Sequence, residues 1–110
     1  LEKINTRVAL TPFDDETAKK ASIAIGVRHW SEVQGTMVNS LNIVQKLSAC
    51  PVCPDEGLKA PYAVVAFLAG EKLESAADAF KKVTEYVPAF AGLSYDTIKS
   101  TGKLLEGGNA

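Results

Sequence analysis

The chain has 110 residues, 46% of them apolar and 23% charged, with a formal net charge of −1. That length is one domain by the usual prior, and a near-neutral balance supplies no field that would draw it to nucleic acid or an anionic membrane. No stretch reaches the roughly 18 apolar residues of a spanning helix, so a membrane-spanning chain is not expected.

In chain order, residues 1 to 10, LEKINTRVAL, place Leu1, Ile4 and Val8 at helical spacing but read equally well as an extended arm. Leu1 in place of Met is what a trimmed or processed product would show, and no signal peptide is legible. Thr11-Pro12-Phe13-Asp14 reads as a helix start, with a threonine cap, proline at the first helical position and a carboxylate at the third. Asp14, Asp15 and Glu16 then favour the positive end of the helix dipole. Ile23, Val27, Trp30, Met37, Leu41 and Val44 step by threes, fours and one seven, which predicts one long helix reaching about Ser48. A second stripe of Ile25, Val33, Ile43 and Leu47 makes that helix apolar on more than one side. Gly26 and Gly35 are read as close-packing points or bends within it.

Pro51, Pro54 and Gly57 mark the clearest turn. Pro61 starts a second helix with Tyr62, Val65, Phe67 and Leu68, and Gly70 ends or kinks it. A third runs through Leu73, Ala76, Ala77, Phe80, Val83 and Val87 to the stop at Pro88. Ser94 caps a fourth, with Leu93 and Ile98 as a hydrophobic staple. The pattern predicts an all-α, up-down bundle of about four helices in a single domain, residues 1–110, with an arm at 1–10 and a frayed tail at 106–110.

The chemistry available to such a bundle is sparse. Cys50-Pro51-Val52-Cys53 holds both cysteines of the chain. A zinc or iron–sulfur site needs about four ligands, and His29 is the only histidine, so no metal or other cofactor is expected. Over its four residues the pair resembles the C-P-x-C centre of glutaredoxins, which implies thiol–disulfide exchange by Cys50 with Cys53 as resolving thiol. That centre sits between a strand and a helix, and here Cys50 follows an expected helix C-terminus, whose partial negative charge opposes a thiolate. The favoured reading is a disulfide joining Cys50 and Cys53 across the bend, with a reduced pair that has no task as the other alternative. The bridge would favour an oxidising compartment such as a thylakoid lumen, periplasm or secretory lumen.

His29 and Trp30 are candidate contacts for a ligand or partner, with Glu32 placed to pair with the imidazole. Tyr86, Phe90, Leu93 and Tyr95 around a Pro-Gly connection read either as a lid over the core or as anchors for a protein partner. No E-x-x-H pair, phosphate-cradling glycine loop or nucleophile elbow is present. The expected function is therefore a non-enzymatic accessory subunit docking on a larger complex. Its layout is similar to that of small extrinsic four-helix proteins on the lumenal side of photosynthetic membrane complexes. The alternatives are a small thiol redox protein and a carrier of a hydrophobic ligand or pigment between helices.

Overall fold

The computed structural model describes residues 3–51 and 57–105. It is a mixed α/β arrangement, not an all-α bundle. The elements run β1 (Val8–Thr11), α1 (Glu16–Lys19), β2 (Ile23–Gly26), β3 (Gly35–Val38), β4 (Ile43–Leu47), α2 (Pro61–Leu68), α3 (Ala76–Tyr86) and β5 (Lys103–Leu104). Single 3₁₀ turns occur at Trp30–Glu32, Pro88–Phe90 and Tyr95–Thr97.

The expected long helix is where the sequence reading fails. Its span holds β2, a 3₁₀ turn, β3 and β4. Steps of three and four between apolar residues arose because β-branched residues crowd this region on both stripes at once. A segment apolar on every side is equally the mark of strands covered on both faces, and Ile and Val favour the strand. Gly26 and Gly35 lie at strand ends rather than at helix bends. The expected helix start also moves. Thr11 closes β1, and the cap of α1 is Asp15, whose Oδ1 accepts from the Thr17 and Ala18 N–H groups at 2.9 Å each.

β1 and β2 pair in parallel, Val8 opposite Ile23 through Thr11 opposite Gly26, with the one-turn α1 as crossover. β3 and β4 form an antiparallel hairpin, Gly35 opposite Leu47 and Val38 opposite Val44. Its turn is built by two asparagines. The Asn39 side chain accepts from the Leu41 and Ile43 N–H groups at 2.9 and 3.0 Å. Asn42 takes the left-handed conformation, φ 58°, that a three-residue loop of this kind requires. β5 joins the other edge of β4, Ile43 opposite Leu104 and Val44 opposite Lys103.

α2 lies where proline and glycine signals place it, and α3 stops before Pro88 as expected but begins at Ala76, behind a Ser75 cap, rather than at Leu73. Pro61 holds the first position of α2, and Gly70, φ 76°, closes it. Glu71 N–H donates to the Ala66 carbonyl at 2.8 Å and Gly70 N–H to Phe67 at 3.0 Å, a Schellman closure. Ser75 and Asp78 cap α3 reciprocally, Ser75 Oγ accepting from Asp78 N–H at 3.1 Å and the Asp78 carboxylate accepting from Ser75 N–H at 3.0 Å. The fourth expected helix is one 3₁₀ turn behind the Ser94 cap. The chain then swings Ile98 into the core and returns as β5.

That core is Val44, Phe80, Ile98 and Leu105, with Phe90, Leu93 and Tyr95 packed against it. It couples α3 to the three-stranded sheet. The parallel pair forms a second lobe. Two main-chain bonds tie the connecting segments together: Cys50 N–H to the Ser31 carbonyl at 2.8 Å and Arg28 N–H to the Lys59 carbonyl at 3.0 Å. Among the described residues no helix is long and apolar enough to cross a membrane.

Candidate functional site

Ligand crevices in parallel α/β sheets form outside the carboxyl ends of the strands. Here those ends carry the aromatic residues. After β1 come Pro12 and Phe13, and Phe13 is held by Thr11, whose Oγ1 accepts from Phe13 N–H at 3.1 Å. After β2 come Val27, Arg28, His29 and Trp30. Val27 is buried and its N–H reaches the Thr11 carbonyl at 3.3 Å, so it fastens the two strand ends together. Arg28 Nε donates to the Leu58 carbonyl at 2.9 Å.

His29 is placed by its own turn. Its main-chain N–H donates to Glu32 Oε2 at 2.8 Å, and its Nδ1 lies 2.8 Å from Ser31 Oγ. Glu32 therefore meets the His29 backbone, not the imidazole as the sequence reading expected. With Nδ1 committed to Ser31, Nε2 is the ring nitrogen left to face a ligand. The imidazole lies against two aromatic rings, 5.4 Å from Phe13 and 5.2 Å from Trp30, centroid to centroid. Phe13 and Trp30 are each 59% exposed, so the three rings form an open shelf. A separate cleft of about 920 Å³, which none of the three rings borders, is lined by Arg28, Glu32, Lys59, Tyr62, Phe67 and Glu71, with charges of both signs.

The structure brings His29 and Trp30 together and adds Phe13, which the sequence had assigned to a helix start. The missed signal is the repeated order apolar run, then aromatic, at residues 8–13 and 23–30. Cys50 is exposed, and its backbone docks on the His29 turn through Ser31. Cys53 lies outside the described residues, so the expected bridge falls there too. Among the described residues no group of three or more His, Cys, Asp or Glu side chains is placed to hold a metal.

The residues read as partner anchors divide. Phe90 meets Phe80 edge-on at 5.9 Å, and Tyr95 stands 6.3 Å from the same ring. With Leu93 they cover the core, while Tyr86 is 77% exposed. Lys46 Nζ sits 4.5 Å over the Tyr95 ring. Burial, reinforced by the charges of Tyr62 and Asp96, raises the Tyr95 hydroxyl above its ordinary pKa of 10.0.

The chain is 31% identical, over 109 aligned residues covering 93% of it, to the F420-dependent formate dehydrogenase 2 subunit alpha of Methanococcus maripaludis. It resembles a segment of an enzyme subunit. The F420-dependent formate dehydrogenase 1 subunit alpha of the same organism is 26% identical over the same share of the chain. The chain spans 16% of the length of each of these relatives. No protein-family model and no solved structure matches it. This similarity replaces the expected accessory subunit of a photosynthetic lumenal complex. With the helical bundle gone, the carrier that would hold a ligand between helices loses its basis as well.

Proposed function

We propose that the chain is a domain of an oxidoreductase alpha subunit of the F420-dependent formate dehydrogenase kind. Similarity to two such subunits over 93% of the chain is the observation that carries this reading. The parallel strand–helix–strand lobe supports it, since that unit places a ligand crevice at its carboxyl edge. Within the subunit, the shelf of Phe13, His29 and Trp30 lines a bound substrate or cofactor. The chain's own part is binding and positioning, and the chemical step on formate belongs to the rest of the subunit.

The test begins with an antibody raised to the chain and used on extract of its source cells. Depletion should remove formate-dependent reduction of F420. Trp30→Ala and His29→Ala should each lower that activity at least tenfold while the variant chain stays incorporated. Full activity in the depleted extract would end this reading.

A further inference from the structure

Strand β1 is paired along one edge only. In a parallel ladder a residue's N–H and C=O point to the same side, and successive residues alternate. The Arg7 carbonyl accepts from Ile23 N–H at 3.1 Å and the Thr11 carbonyl from Val27 N–H at 3.3 Å. Arg7, Ala9 and Thr11 therefore face β2, and Val8 and Leu10 turn their peptide groups to the opposite edge. On the far side of β2 the outward set is partly met, since Arg28 N–H bonds the Lys59 carbonyl. Among the described residues no strand meets the outer edge of β1.

The side chains repeat the message. Edges that face water are blunted by lysine, proline or a bulge. This one reads Val-Ala-Leu, and its neighbour reads Ile-Ala-Ile. Such near-continuous apolar runs belong to parallel strands covered on both faces. Yet Val8 and Ile23 are each 53% exposed. A cleft of about 400 Å³ against the same strand is bordered by Ile4, Val8 and Ala21 together with Arg7, Glu16 and Lys20 of its rim.

The geometry points to strand addition: a further parallel strand, supplied by the remainder of an alpha-type subunit, runs along β1 and exchanges hydrogen bonds with Val8 and Leu10. This rests on the functional reading above. The relatives hold their matching segment as 16% of one polypeptide, which leaves most of that polypeptide to supply such a strand. A second copy fits less well. Two copies related by a two-fold axis would pair β1 with itself antiparallel, whereas these apolar runs suit a parallel sheet.

Hydrogen exchange on the polypeptide purified natively from its source, set beside the 110-residue chain alone, tests the proposal. Val8 and Leu10 amides should exchange at least 100-fold more slowly in the native preparation. Val8→Pro removes an outward N–H at the first strand position, where proline is tolerated. It should leave the circular dichroism of the lone chain unchanged and lower its recovery in the native assembly at least tenfold. Equal exchange in both preparations overturns the proposal. So does edge protection that appears in the lone chain as concentration rises and a dimer forms. A protected edge in a native assembly that does not reduce F420 with formate upholds the added strand and removes the functional reading.

Discussion

A Cβ placed on Gly102 would lie 2.8 Å from the carbonyl oxygen of Val44, the buried residue of β4. It would also meet Ile43 Cγ2 at 2.5 Å and Gln45 Cγ at 2.7 Å, and Gly102 has φ +80°. Steric exclusion and backbone conformation thus demand glycine at the same position. Gly102→Ala is expected to destabilise the chain by about 1–3 kcal/mol or more, read as a lowered urea midpoint. An unchanged midpoint would mean that β5 does not approach β4 this closely.

The α3 cap links stability to acid. The Ser75 hydroxyl donates to the Asp78 carboxylate at 2.7 Å and holds its pKa below the ordinary 3.8. A depressed folded-state pKa contributes stability that is present above the ordinary value and lost as pH falls through the folded one. Ser75→Ala should cost about 1 kcal/mol at neutral pH and move the acid limb of helical signal loss to higher pH. A limb at the same pH in both proteins would show that this bond is not what lowers Asp78.

Tyr95 sets a limit at the alkaline end. Its raised pKa means that the folded state holds the phenolic proton more tightly than the unfolded chain does. That contribution is complete below pH 10 and disappears as pH climbs from there through the folded-state value. Absorbance at 295 nm should show one tyrosine ionising late in the folded protein and with the others in concentrated urea. Asp96→Asn should bring that late titration to lower pH, and Tyr95→Phe should abolish it.

Cys50 meets the Ser31 carbonyl through its main-chain N–H, at 2.8 Å. Cys50→Ala keeps the N–H that bonds Ser31 and should shift stability by no more than about 0.5 kcal/mol. Cys50→Pro removes that donor, leaves the Ser31 carbonyl unmatched, and should cost about 1–3 kcal/mol. Denaturant melts of the two variants should therefore separate. Equal melts would show that the Ser31 contact is dispensable.

What the sequence made legible follows from how local each signal is. Pro61, Gly70 and Pro88 act within one turn: the first two bound α2, and the third stops α3. Ser94 does cap a turn, but Ile98 gains more from entering the core than from extending a helix, so the turn stops after Thr97. Between residues 23 and 47 the deciding facts are nonlocal. β2 needs β1, and Val44 needs both β3 and β5, so spacing along the chain suggested a helix that tertiary pairing overrode. At the site, His29 and Trp30 were visible as unusual residues. Phe13 was not, because only the parallel pairing of β1 and β2 brings it to the imidazole.

The order of the three-stranded sheet has a bearing on biosynthesis. The β3–β4 hairpin closes through the short Asn39–Asn42 turn and can form soon after its residues leave the ribosome. The strand on the other side of Val44 arrives only with Lys103 and Leu104. During translation the nascent hairpin thus stays wet on one flank until almost every other described residue has emerged, the interval in which a chaperone has most to shield.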